Sequence, residues 1–389
     1  MARILFSALS SRRGGGLTYI RNIVGAFPAA PGNHLAILSA RPIEGLPERE
    51  DIEWVRAPAW TVKPITRFLF GALYFRFFWP RRREFDAVYF AGGSIEMHLP
   101  PGAKIVVAFR NMLPFDLRER RRYGLGWIRL RNWLLRFVQG SSFRRADLVI
   151  FISDYAKAVI DKAVPRRRGR SAVIPHGVTR TPGRLDAGLA ARLPERFVLY
   201  LSIIDAYKAQ VEAVEAWALV KREGGIAERL VLAGPEYPPY ARKVRAAIAR
   251  HGLEDEVILL GAVRHDQVFD LADRATLNLF LSSCENCPNI LLELMRAGRP
   301  VLVSSYQPMP ELGGPGLDYV DPYEVPALAA AVRRLVADPA RLHELGVAAA
   351  ERSRLYSWEK AGAATWAAII ALADEASNSA RPAARTVVA

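Results

Sequence analysis

Short runs of apolar residues recur along the first half of the chain, at Arg3 to Ala8, His34 to Ser39, Ala87 to Phe90, Ile105 to Phe109 and Leu148 to Ile152. Each is bounded by turn-forming residues and is apolar through its centre, so each predicts a strand buried on both faces. The polar loop Ser10 to Gly16 follows the first strand, and a helix is predicted over Leu17 to Phe27. Strands alternating with helices are the order of a parallel sheet with crossover helices. A second series opens at Phe197 to Leu201 and continues through Leu230 to Ala233, Val257 to Leu260, Leu277 to Leu281 and Pro300 to Val303. Helix patterns at Gln210 to Arg222 and Tyr240 to Arg250 lie between its strands, and further helix patterns fill Val325 to Trp366. Between the two series, Val173 to Pro194 is rich in Pro, Gly and Arg, which is linker chemistry. Two doubly wound α/β domains in tandem are therefore expected, at 1–175 and 195–355, joined by a linker at 176–194. A C-terminal helix is expected at 356–376 and a disordered tail at 377–389.

The length of 389 residues suits two cores of ordinary size. No stretch of about 18 residues is free of charge, so no simple membrane-spanning helix is expected. The start of the chain runs directly into a strand pattern without a signal-peptide signature. Two cysteines, Cys284 and Cys287, cannot make a disulfide framework, and a cytoplasmic protein is expected. The net charge of +15 is concentrated: residues 1–175 hold about 30 Lys and Arg against about 13 Asp and Glu, and the remainder is close to neutral. Such an excess implies an anionic partner for the first half.

The segment Ser282 to Pro300 carries the densest chemistry. A predicted strand ends near Leu281, a polar loop carries Glu285 and Asn286, and Pro288, Asn289 and Ile290 open a helix that contains Glu293. A helix N-terminus offers unpaired N–H donors and a positive dipole end, which suits a diphosphate. Carboxylates beside it would repel phosphate, so Glu285 is expected to face a hexose hydroxyl and Glu293 a ribose hydroxyl. The Cys284-x-x-Cys287 spacing also occurs in zinc and redox sites, but further ligands and a thioredoxin-like context are missing, and buried thiols are expected.

With its paired glutamates, Glu-Asn-Cys-Pro-Asn-Ile-Leu-Leu-Glu at 285–293, followed by Ala297-Gly-Arg-Pro-Val301, this segment resembles the signature of the retaining glycosyltransferases of family 4. That resemblance implies a GT-B fold, two Rossmann-like domains facing a central cleft, with the C-terminal helix packing back on the N-terminal domain. It further implies that the first domain takes the acceptor and the second the nucleotide-sugar donor. Lys208, in Tyr200 to Ala209, matches the family's phosphate-neutralising lysine, and Ser202 stands where well-known members carry a basic residue. Gly14, Gly15 and Gly16 match the family's N-terminal glycine loop, Gly15 and Gly16 toward the donor phosphate and Gly14 toward the acceptor. Glycines there let backbone approach an oxyanion closely. Arg110 takes the place of a common histidine and, with Asn111, is expected at the acceptor. Pro235 and Val263 lie in loops resembling those around the nucleotide base and ribose. His176, at the start of the interdomain connection, is expected to pack or hinge.

The activity implied is retaining transfer of a hexose from a UDP or GDP sugar to a glycan or lipid-linked acceptor, in bacterial cell-surface polysaccharide or glycolipid synthesis. Catalysis would rest on Glu285 and Lys208. No Asp-x-Asp motif occurs, so neither a required metal nor another cofactor is expected. A non-catalytic GT-B relative that binds glycans or nucleotide sugars, or a GT-B epimerase, is the alternative. In the basic half, Pro64 to Trp79 leads into Arg81-Arg-Arg83, and Leu117 to Arg145 interleaves nine arginines with Trp127, Ile128, Trp133, Leu134, Leu135 and Phe137. That mixture suits peripheral contact with an anionic membrane. No nucleic-acid-binding module is recognisable, and nucleic acid is not an expected partner.

Overall fold

The computed structural model describes residues 2–10, 15–74, 84–99, 102–224 and 226–380. Its principal elements begin with β1 (Arg3–Ser7), α1 (Gly15–Gly25), β2 (His34–Ser39), β3 (Ile52–Arg56), β4 (Ala87–Phe90) and β5 (Lys104–Phe109). Next come α2 (Leu117–Arg122), α3 (Trp127–Arg145), β6 (Leu148–Phe151), α4 (Asp154–Ala163), β7 (Arg170–Val173), β8 (Phe197–Leu201) and α5 (Gln210–Arg222). The chain continues through β9 (Arg229–Ala233), α6 (Pro238–Arg250), β10 (Val257–Gly261), α7 (Val268–Arg274), β11 (Leu277–Phe280), α8 (Asn289–Ala297) and β12 (Val301–Ser304). It ends with β13 (Asp318–Val320), α9 (Val325–Val336), α10 (Pro339–Ser353) and α11 (Trp358–Ala380).

Two compact units emerge. One comprises 1–111, 133–176 and 358–389, the other 112–132 and 177–357. The first holds a seven-stranded sheet in the order β3-β2-β1-β4-β5-β6-β7, the second a six-stranded sheet in the order β10-β9-β8-β11-β12-β13. Every pairing in both sheets is parallel. The central strands are buried along their whole length because helices cover both faces, which is why they lack polar alternation. In both sheets the order reverses once, between β1 and β4 and between β8 and β11, the doubly wound arrangement.

The sequence expectations miss three strands, β3, β7 and β13, all at sheet edges. These three strands are only partly buried and lack the apolar run of the strands that were expected. The stretch 112–132 also differs from a simple division of the chain near residue 175, because it packs with the second unit.

Within the first unit, α11 returns onto the N-terminal sheet and lies along α1. Trp366 is 1 % exposed, donates its indole N–H to the Ile23 carbonyl at 2.6 Å and packs edge-on against Phe27 with ring centroids 4.9 Å apart. The helices approach so closely that a Cβ on Gly362 would stand 2.2 Å from the Ala26 methyl. Replacing Trp366 with Ala therefore removes both packing and a satisfied donor. The expected loss is about 3–5 kcal/mol of stability in urea unfolding of the full chain, as for other large-to-small core changes.

Candidate active site

The reversal between β8 and β11 sends the loops after these strands in opposite directions, and ligands of doubly wound sheets bind at such a switch point, outside the carboxyl ends of the strands. After β8, the Asp205 carboxylate accepts from Ala206 N at 2.7 Å and starts a single 3-10 turn, Ala206–Lys208. Ala209 follows in the left-handed region at φ 54° and admits α5, while the Tyr200 hydroxyl donates to the Lys208 carbonyl. After β11, Ser283 N and Ser283 Oγ both donate to the Tyr207 carbonyl, at 2.9 and 3.1 Å. This tie brings the Lys208 ammonium into a salt bridge with the Glu285 carboxylate. Lys208 is 6 % exposed and lies over the Tyr207 and Phe280 rings at 4.9 and 5.2 Å, so its charge is balanced mainly by that one carboxylate.

Four residues beyond Glu285 the chain enters α8, whose N-cap, Pro288, makes no side-chain cap hydrogen bond. Its first N–H groups point out of the helix at the same sheet edge. Asn286 and Pro288 are buried, and Asn289 and Ile290 are half-buried, so all four sit at this helix entry. One turn in, Glu293 is 5 % exposed among Leu291, Leu292 and Leu294. Its Oε1 pairs with His265 Nε2 at 2.8 Å, and its Oε2 has no hydrogen-bond partner. A buried carboxylate oxygen left open is an acceptor ready for a hydroxyl.

The loops after β8 and β9 interlock beside this edge. Ser202 N donates to the Ala233 carbonyl at 2.8 Å and Ile204 N to the Pro235 carbonyl at 2.8 Å. Gly234 has φ 144°, and a Cβ there would lie 2.0 Å from the Ser202 carbonyl oxygen, so only glycine fits. Ser202 is thus buried in the loop framework, and Val263 is half-buried after β10. Cys284 and Cys287 are buried and unlinked, and burial pushes the Cys284 thiol well above its usual range, as expected of idle thiols.

In the first unit, Gly15 and Gly16 open α1, and Gly14 lies outside the described residues. Arg110, just past β5, donates through Nε to the Ala91 carbonyl at 2.8 Å and stacks over the Tyr19 ring at 4.4 Å. Burial lowers its pKa, and the nearby Tyr19 and Tyr89 phenols oppose that shift. The two phenols are hydrogen-bonded to each other and raised above their usual range by burial. Asn111 is exposed. His176 is wedged between the Tyr19 and Trp358 rings, each 5.2 Å away, which is a packing position. The structure thus gathers Lys208, Glu285, Asn286, Pro288, Asn289, Ile290, Glu293 and Ser202 on one sheet edge of the second unit, and Gly15, Gly16, Arg110 and Asn111 within the first. Sequence reasoning overlooked Tyr207, Ser283 and His265. Only His265, directly after the Gly261 to Arg264 loop, carries a side chain that could have flagged it.

Two tandem doubly wound units, one with a lysine–glutamate pair and a helix start at its switch point, are the arrangement that the sequence resemblance implies. Comparison with known families agrees. The model described as Glycosyl transferases group 1 matches residues 184–352, and that described as Glycosyltransferase Family 4 matches residues 13–181. The chain belongs to the group 1, family 4 glycosyltransferases and has the GT-B fold. It is similar to the serotype-specific mannosyltransferase WbdA of Escherichia coli, 26% identical over 267 residues, which cover 66% of this chain and 32% of that protein. It is also similar to the GDP-mannose:cellobiosyl-diphosphopolyprenol alpha-mannosyltransferase of Xanthomonas campestris, 32% identical over 127 residues, covering 32% of this chain and 33% of that one. These alignments span about a third of the curated relatives. Among solved structures, the sucrose-phosphate synthase of Thermosynechococcus elongatus superposes with a TM-score of 0.74 at 20% identity over 96% of this chain and 100% of that one. Anabaena HepE in complex with UDP and glucose gives 0.67 at 17% over 95% and 100%. At such identities the likeness shows the fold.

Replacing Gly234 with Ala would force backbone against backbone and strain the dihedral. A loss of more than about 2 kcal/mol is expected in thermal or urea unfolding.

Proposed function

We propose that the chain is a retaining, metal-independent hexosyltransferase that uses a UDP or GDP sugar, and that it glycosylates a glycan or lipid-linked acceptor in bacterial cell-surface polysaccharide synthesis. The observation that carries this reading is the Lys208–Glu285 pair held beside the open start of α8, with the unpaired Glu293 oxygen one turn further in. A diphosphate at the helix start would draw the Lys208 ammonium to its oxygens and release Glu285 to accept from a sugar hydroxyl. The spare Glu293 oxygen would take a ribose hydroxyl, and the loops of Ser202, Pro235 and Val263 would border the nucleotide.

The bond from the anomeric carbon to the diphosphate breaks as the acceptor oxygen bonds to the same face of that carbon. The acceptor's hydroxyl proton passes to the departing phosphate oxygen. Lys208 and the α8 N–H groups stabilise the charge that develops on the leaving group, which makes catalysis chiefly electrostatic. Gly14, Arg110 and Asn111 are assigned to the acceptor. Arg110, held as a cation over Tyr19, cannot serve as a general base.

A cytoplasmic position at the inner membrane face fits the outer side of α3. That helix exposes Trp127, Leu130, Trp133, Leu134 and Phe137, while Asn132, Gln139 and Ser142 are buried. Arg131 is exposed along the same helix, which favours anionic lipid as the cover. The sequence expectation shifts for α2: Arg118 and Arg122 pair within the second unit, and Arg120 is buried, so this cluster is not an open basic patch.

Two measurements test these assignments. With nucleoside diphosphate release as the readout, Lys208→Ala and Glu285→Ala should each lower kcat by about 10²–10³-fold. Wild-type rates in both variants would remove the assignment, and isomerised donor with no release would favour an epimerase. In co-sedimentation with vesicles of phosphatidylglycerol and phosphatidylethanolamine, Trp133→Ser combined with Phe137→Ser should weaken binding about tenfold or more, as expected for lost interfacial apolar area. Unchanged binding would rule out this face.

A further inference from the structure

The segment 112–132 precedes the second unit by some way in sequence yet packs as part of it. Its contacts reach both loops that carry the candidate catalytic pair, one directly and one through Tyr323. The Tyr123 hydroxyl donates to Asp205 Oδ1 at 2.8 Å, and Asp205 is the residue that starts the turn ending in Lys208. One helical turn earlier, Glu119 is 1 % exposed and pairs with Arg118 and Arg122, which lie over the ring of Tyr323, whose hydroxyl donates to Ser283, two residues before Glu285. Ser283 is already the junction of the site, since it donates to the Tyr207 carbonyl and accepts from the Tyr323 hydroxyl at 2.8 Å.

A carboxylate this deeply buried needs compensating charge. Nε of Arg118 and Nε of Arg122 each lie 3.2 Å from one of its oxygens. Those arginines are themselves fixed. Arg118 donates to the Tyr306 hydroxyl at 2.6 Å and lies over the Tyr306 and Tyr323 rings at 4.4 and 4.8 Å. Arg122 lies over Tyr323 at 4.1 Å and reaches Glu212, on α5, at 3.6 Å. The arrangement is therefore α2 clamped by cation–π contacts, its one buried acid holding the arginines over Tyr323, which bonds Ser283, while the adjoining phenol holds the lysine turn.

We infer that residues 112–132 form a positioning strap for the donor site, in which Glu119 and Tyr123 set the placement of Glu285 and Lys208 relative to each other. Neither strap residue reaches the reacting atoms: Tyr123 acts through Asp205, and Glu119 through the arginines over Tyr323, whose hydroxyl donates to Ser283. Misplacing a catalytic group by a fraction of an ångström to one ångström lowers the chemical step far more than it lowers ground-state binding.

The inference rests on the donor-site assignment above, and the experiment separates the two. The full chain is assayed for nucleoside diphosphate release from UDP-glucose, UDP-N-acetylglucosamine, GDP-mannose and ADP-glucose, and kcat and KM are measured on the donor turned over fastest. Glu119→Ala and Tyr123→Phe should each lower kcat by about tenfold with KM within about twofold, in variants whose melting temperature confirms a folded chain. Glu119→Gln, which keeps an acceptor oxygen beside Arg118 and Arg122, should recover to within about threefold of wild type. Arg121→Ala, an exposed position on the same helix, should match wild type. Folded Glu119→Ala and Tyr123→Phe variants with wild-type kcat, alongside an inactive Glu285→Ala, would overturn the strap alone. An active Glu285→Ala, or a wild-type chain that turns over none of the four donors, would overturn the donor-site assignment and the strap with it.

Discussion

The carbonyl of Tyr207 is the fixed point of the second unit. It lies on the loop after β8 and receives donors from the loop after β11: Ser283 N, Ser283 Oγ and, at 3.4 Å, Ser282 Oγ. The reversal of strand order leaves these two loops without a crossover between them, so the sheet alone does not fix their separation. Hydrogen bonds to one backbone oxygen do. Lys208 is the next residue along one loop and Glu285 two residues along the other, which makes their salt bridge a consequence of backbone geometry. Opposite charges brought together in this way hold each other in place until a ligand supplies better partners.

The architecture was largely legible in the sequence because parallel strands covered by helices on both faces must be apolar throughout. Phe197 to Leu201 and Ala87 to Phe90 coincide with observed strands for that reason. The edge strands β3, β7 and β13 did not stand out, since Glu53 interrupts the first and the other two are only four and three residues long, each beginning with a charge. In the site, the residues with conspicuous chemistry were visible: Glu285, Glu293 and Lys208 each sit on the edge where their spacing placed them. The parts that hold them were not. Ser283 and Tyr207 act through backbone atoms and a single hydroxyl, and Tyr123 is 82 residues from Asp205, a pairing that only the fold brings about.

The same distance effect altered the meaning of the arginines. In sequence, Arg118 to Arg122 form a basic run that any anionic partner could meet. In the structure, two of its members are spent on Glu119, Glu212 and the tyrosines of the second unit. Net charge counts charges without regard to how they are paired, so it overstates the free positive surface wherever the fold supplies acids and aromatic faces.

For α3 the inversion runs the other way. Its inner side is polar for a local reason: Ser142 Oγ accepts from Ile95 N at 2.9 Å, satisfying backbone in the loop after β4, and Gln139 is buried with it. A helix recruited to satisfy loop backbone with its polar stripe must turn its remaining residues outward. Here those are Trp133, Leu134 and Phe137, with the Trp133 and Phe137 rings stacked edge-on at 4.7 Å. The outward face is therefore fixed by what the inner face does, and water is a poor solvent for it. An interfacial lipid environment would relieve that exposure without disturbing the bonds that hold the loop, which is why the membrane proposal depends more on the direction this helix faces than on the number of its arginines.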